Sequence, residues 1–223
     1  MMEPSGLDAK VEAVFVGAIE TFELADGDSL TSAIRKRPRT AESELGIAGF
    51  VGDECQDPTH GGPNRAVHVF AAEHYDRFAE IAGRPLPQPL VGENLCVRGY
   101  PDEQARVGDR LRIGGALAEV TMPTERCRNP GRLHQIPQLL RWMIEELRTG
   151  FYLKILEPGV VQPGDACVLD ARGPERWTIR SLSHAMYRQV ADAELVAELQ
   201  RVEPLAPEWK ERLAVLHARR TRA

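Results

Sequence analysis

From Val11 to Leu169 the chain runs in short apolar stretches, each closed off by glycine or proline. That punctuation constrains the fold more than any other feature. Strands this short cannot form a stable sheet with one neighbour alone, and a series of them predicts a barrel or a sandwich. "VEAVFVGAI" (Val11 to Ile19) is β-branched and apolar. "RAVHVF" (Arg65 to Phe70) alternates, with Ala66, His68 and Phe70 on one side and Val67 and Val69 on the other. "VGENLCV", "FYLKIL" and "ACVL" supply further strands. "DRLRIGGALAEVT" (Asp109 to Thr121) predicts a hairpin, because Gly114-Gly115 suits a two-residue turn.

Two helices interrupt the strands. Tyr75, Phe78, Ala79 and Ala82 recur at helical spacing, with Gly83 placed to end the segment. Leu140, Met143, Ile144 and Leu147 do the same, with Gly150 as the expected stop. The texture changes after "DARGPER" (Asp170 to Arg176), which reads as a linker. Three short amphipathic helices follow, marked by Leu182/Met186, Leu195/Leu199 and Trp209/Leu213/Leu216. Each is too short to persist alone in water and must pack on something. The basic tail "HARRTRA" is expected to fray. This divides the chain into 1–170 and 171–223.

The net charge of -5 argues against nucleic acid as a partner. No apolar run reaches about 18 residues, so no membrane span is expected. The N-terminus carries no secretory pattern. Cys55, Cys96, Cys127 and Cys167 lie far apart, without the paired spacing of a zinc or iron–sulfur site. Free thiols in a cytoplasmic protein are the reading.

"CQDPTHGGPNRAVHVF" is a candidate anion loop. Gly61 and Gly62 can turn amide groups inward. The amides of Gly61, Gly62, Asn64 and Arg65 are the available donors, because Pro63 has none. The guanidinium of Arg65 can grip a phosphate, and His60 can add a hydrogen bond. A tight Gly-Gly-Pro turn with no ligand explains the same residues and stands ahead on this motif alone. No P-loop or dinucleotide fingerprint is present. His68 reads as core and His74 as helix surface. The basic loop "SAIRKRPR" (Ser32 to Arg39) points weakly to an anion nearby.

Cys127 sits in "MPTERCRNP", between two arginines and two prolines. Three chemistries are open to it. It can form a nucleophilic pair with His60 or His134. It can join Cys55 and His60 on zinc. Or it can place one thiolate on a metal whose cofactor brings the remaining sulfurs. An inert loop cysteine ranks ahead of all three on the residues alone.

Taken in order, "TSAIRKRP", "GDECQDPTHGGPNRAVHVFAAEHY", "VGENLCVRG", "VGDRLRIGGALAEVTMP", the solitary Cys127 and "RTGFYLKILEPG" closely resemble the MOSC family, the molybdenum cofactor sulfurase C-terminal domain, and within it the YiiM-like branch. The tail is similar to the three-helix domain that follows MOSC in that branch. The resemblance implies a mostly β, α+β fold: a MOSC-type β-barrel with interspersed helices, then a small three-helix domain. It implies a molybdenum cofactor of molybdopterin form, with Cys127 as metal ligand and catalytic residue. Lys36, His60, Gly61, Gly62, Asn64, Arg65, Asn94 and Arg126 are carried over as cofactor-binding residues. It further implies reduction of small N-hydroxylated substrates, of the hydroxylaminopurine type, with electrons from a separate reductase and a homodimer as candidate assembly. The alternatives are a non-enzymatic carrier of cofactor or sulfur, and an interaction module built on the helical tail. The neighbours of Cys127 depart from the aromatic or aliphatic context of the branch, which bears on substrate choice. The segment "GRLHQIPQLLRWM" is a candidate lid, with His134 as its proton donor.

Overall fold

The computed structural model describes residues 7–56, 60–125, 127–188 and 192–221. Strand β1 (Ala9–Val16) opens the chain, followed by a hairpin of β2 (Glu20–Glu23) and β3 (Ser29–Ser32). After β4 (Arg37–Arg39), β5 (Ser43–Gly46) and β6 (Gly49–Phe50), a 3₁₀ turn at Pro63–Arg65 leads into β7 (Val67–Ala71). Helix α1 (Ala72–Ala82) then crosses to β8 (Leu95–Arg98), which pairs with β7 in parallel. A parallel pair needs such a crossover, because a tight turn can only reverse the chain.

β9 (Arg110–Ile113) and β10 (Ala116–Pro123) form the expected hairpin, Ile113 opposite Ala116. The helices α2 (Asn129–Leu133) and α3 (Leu139–Glu146) come next, then β11 (Phe151–Glu157), β12 (Gly159–Val161) and β13 (Ala166–Ala171). Among the described residues the strand order is β13-β9-β10-β11-β7-β8-β1, and β1 pairs back onto β13 through Ala9 and Cys167. The sheet is therefore a closed seven-stranded barrel, with β4 attached outside it to the far end of β1. Closure removes exposed strand edges, which is how strands this short become stable.

The chain ends in α4 (Ile179–Tyr187), α5 (Ala193–Gln200) and α6 (Pro207–Arg220). Thr178 caps α4 by accepting from the Ser181 amide, and Asp192 caps α5 by accepting from Leu195. Each such cap contributes about 1 kcal/mol. Leu182, Leu199, Trp209 and Leu213 join one continuous apolar cluster with the barrel residues Leu111, Val120 and Leu153. All eight residues of β10 are buried, since the strand faces the barrel interior on one side while α4 packs against it and the Ala206 amide bonds the Thr121 carbonyl. A second cluster, around Phe70, Phe78, Leu90 and Leu139, joins α1 and α3.

Four expectations are corrected. His74 is fully buried rather than on the helix surface, because its ring bonds the equally buried Asp102. The third helix ends at Leu147, itself left-handed at φ 53°, and its buried face is Leu139 and Met143 rather than Leu140 and Ile144. Gly150 instead approaches the Val69 carbonyl too closely for a side chain. The residues His217 to Arg220 are helical, because α6 is anchored upstream by Trp209. β7 is buried on both faces, between the barrel interior and the α1 cluster.

Candidate functional site

A cavity of about 610 Å³ gathers residues from loops far apart in sequence. Lys36, His60, Gly61, Gly62, Arg65, Asn94 and Cys127 all line it. Asn64 does not, since its side-chain amide donates to both carboxylate oxygens of Glu208, at 3.3 and 3.2 Å. Arg126 lies outside the described residues.

Of the two glycines in the turn, only Gly62 takes a positive φ. Gly62 has φ 104°, a conformation an L side chain would resist, and Pro63 starts the 3₁₀ turn behind it. One donor is lost, however: the Arg65 amide bonds the Gly62 carbonyl at 2.9 Å. The Arg65 side chain is only 7% exposed. It reaches Glu125 Oε1 through Nη2 at 3.4 Å, and its Nε has no partner. Arg65 Nε, His68 Nε2 and Thr124 Oγ1 are buried polar atoms without partners, and all three belong to side chains lining this one cavity. Buried polar atoms are rarely left so. Their presence here fits a polar ligand, and Arg65, the one cation of the three, can take an anionic group.

On the next part of the wall, Lys36 forms an ion pair with Asp53. Asp53 also accepts from the Gly17 amide at 2.8 Å and from Asn94 Nδ2 at 2.8 Å. Gly17 is required there, because a Cβ would stand 2.8 Å from the Ala33 carbonyl. Asn94 Oδ1 accepts from the His68 amide at 3.0 Å. Asn94 therefore ties β7 to the loop that carries Asp53 and acts on the cavity mainly through that carboxylate. The His68 ring is kept neutral, its pKa pushed down to about 3 by burial and then by Lys36 and His60. Asp53, His68, Thr124 and Glu125 were not assigned from sequence. Only the need of Lys36 and Arg65 for counter-charges hinted at the carboxylates.

Cys127 is half-buried and accepts from the Asn129 amide at 3.4 Å, at the start of α2. Arg128 beside it is exposed. Cys96 and Cys167 are buried, and burial pushes both thiols up, Cys167 to about 12. Cys55 lines the same cavity, its sulfur packed against Gly61. Cys55, His60 and Cys127 thus share a cavity. Among the described residues, however, no group of three or more His, Cys, Asp and Glu side chains is disposed to hold a metal unaided. Of the expected lid only Met143 lines the cavity, alongside Asn129 and Pro130 that precede it, and His134 does not. Burial holds the His134 pKa low, and its ring sits by the backbone of Pro89 and Leu90. No helix among the described residues is long and apolar enough to cross a membrane.

A closed barrel of this topology, with a basic glycine turn and a thiol at one cavity, defines the class of protein. Residues 56–168 match the MOSC domain, named for the molybdenum cofactor sulfurase C-terminal region, and the chain belongs to that family. It is 30% identical over 196 residues to the uncharacterized protein YflK of Bacillus subtilis, covering 87% of this chain and 88% of that one. The crystal structure of YiiM from Geobacillus stearothermophilus superposes with a TM-score of 0.78 at 25% identity, covering 94% of this chain and 99% of that one. A Gibberella moniliformis protein named "Reductase" is 30% identical over 176 residues, 77% of this chain but 31% of its own length.

Proposed function

We propose that the cavity holds a molybdenum cofactor and that the protein reduces N-hydroxylated compounds, hydroxylaminopurine-type base analogues among them. The observation that carries this reading is the convergence of Cys127 with Lys36, His60 and Arg65 at one cavity. The reductase name of the fungal relative is consistent with it.

The residues divide by chemistry. Arg65, Lys36, His60 and the amides of Gly61 and Gly62 hold the phosphate of the pterin. A guanidinium offers paired donors, and inward amides add a concave, positive surface. Cys127 supplies one soft sulfur ligand to the metal. Bound there, the cofactor supplies a two-electron redox centre. The net reaction takes two electrons and two protons to the N–OH group, breaks the N–O bond and releases water. The neutral His68 ring and the Thr124 hydroxyl offer further hydrogen-bonding atoms on the same wall. The electrons come from a separate reductase.

Protein purified from a cofactor-competent host should carry molybdenum and pterin in equal amounts. It should also reduce 6-hydroxylaminopurine with a chemical donor. Cys127→Ser should lose the metal and all turnover, while Cys55→Ser keeps both. Metal retained in Cys127→Ser and lost in Cys55→Ser would move the ligand to the other thiol. Pterin absent from the wild type would overturn the reading. Cofactor held without turnover, with a persulfide on Cys127, would instead identify a carrier.

A further inference from the structure

The helical C-terminal segment contacts two residues that line the cavity, Thr124 and Glu125, and a third, Asn64, in the turn beside it. Tyr187 of α4 donates to the Thr124 carbonyl at 3.1 Å. Glu208 of α6 holds the Asn64 side chain. Arg212 of α6 forms an ion pair with Glu125 Oε2, while the opposite oxygen, Oε1, faces Arg65. Glu125 thus lies between two guanidiniums. Its contact with Arg65, at 3.4 Å, is near the outer limit of a hydrogen bond.

The position of Glu125 between two guanidiniums has an electrostatic consequence. Arg65 must offer its charge to an incoming anion, yet a carboxylate stands beside it. Left alone with Arg65, Glu125 would form a close bidentate pair and neutralise the anion site. With Arg212 on its far side, the carboxylate is drawn off. The three side chains then carry one surplus positive charge, and Arg65 keeps an unpaired Nε.

We propose that Arg212 is a positioning residue for the anion site: from the C-terminal helix it draws Glu125 away from Arg65 and so keeps Arg65 open to a phosphate-bearing ligand. This rests on the reading of the cavity as an anion site, and it makes α6 a part of that site. Glu208 serves the same end by fixing the Asn64 side chain and with it the 3₁₀ turn that carries Arg65.

The test is inorganic phosphate binding to full-length, cofactor-free protein, measured by calorimetry on the wild type and five variants. Arg212→Ala should weaken phosphate about tenfold, the equivalent of one charge-assisted contact. Glu125→Gln should tighten it by a similar factor, because the competing carboxylate is gone. The double variant should return close to the wild type. Glu211→Ala, an exposed position on the same helix, should change nothing. A merely structural role for α6 would weaken binding in both single variants, and that result overturns the proposal. So does a wild-type affinity in Arg212→Ala. Arg212→Lys keeps the charge and should recover most of the loss, which guards against a folding artefact in the alanine variant. If the wild type itself binds no phosphate, the anion reading fails and this proposal fails with it. If the wild type binds and only the opposite signs are missing, the anion reading stands alone.

Discussion

Two groups of buried polar side chains in this molecule differ in how completely their hydrogen bonds are filled. Around Asp102 every oxygen has a partner. Oδ1 accepts from His74 Nε2 at 2.7 Å, and Oδ2 accepts from the amides of Thr149 and Gly150 at 2.8 and 3.0 Å. The Arg148 guanidinium can only donate, so His74 Nδ1 accepts from it and Nε2–H is the atom that faces Asp102. Burial alone would raise the Asp102 pKa, but His74 and the two amides together hold it below the usual carboxylate range. Asp109 is filled in the same way, by Tyr100, Arg172 and the amides of Arg106 and Gly173. The cavity wall is the opposite case: Arg65, His68 and Thr124 each keep a buried polar atom without a partner, whereas beside the two filled carboxylates it is the Nε atoms of Arg148 and Arg106 that are left so. A filled group holds elements together, whereas an unfilled one has capacity for something from outside.

The sharpest break between the two would come from Asp102→Ala. It strips the partner from a buried ring and two buried amides, and should cost about 3–5 kcal/mol in denaturant unfolding. A cost below about 1 kcal/mol would remove the distinction. Arg65→Met should do the reverse. Stability should move by less than about 1 kcal/mol, since its bonds are incomplete, while phosphate affinity falls about a hundredfold. Equal losses of stability at both sites would show that the cavity is also a structural joint.

The pH dependence sharpens the same contrast. The folded pKa of His68 lies well below its unfolded value near 6.5, at about 3. The unfolded chain therefore binds the proton first, and stability is present above about pH 6.5 and lost as pH falls toward 3. Between pH 7 and pH 5 the loss from this group alone should be about 2 kcal/mol, and His68→Gln should abolish that slope. The smallest effect belongs to the surface. Arg132 pairs with Asp26 and Asp28 at the tip of the β2–β3 hairpin, and Arg132→Ala should cost less than about 1 kcal/mol in thermal unfolding.

The legible parts of the site were the ones carried by local spacing. The Gly61-Gly62-Pro63 turn, the Gly114-Gly115 hairpin and the Gly83 cap depend on backbone conformations that neighbouring residues set. The partners were not legible. Glu125 meets Arg65 across 60 positions, and Glu208 meets Asn64 across 144. His74 looked exposed because helical spacing alone does not say that Asp102 will be buried against that face. His134 looked like part of a lid because it follows Cys127 in sequence, yet the turn after α2 carries its ring toward Pro89.

By itself, the sequence determined the strand and turn rhythm that closes into a barrel, the amphipathic helices, and the thiol and basic turn as candidates. These rest on local sterics and on the period with which apolar side chains recur. Only the tertiary structure decided that Cys127 and Arg65 share a cavity, that Asn94 works through Asp53, and that the last helix meets Glu125 at the cavity wall. Those outcomes depend on distance and desolvation between groups that chain order does not bring together, because Coulomb and burial energies follow separation in space.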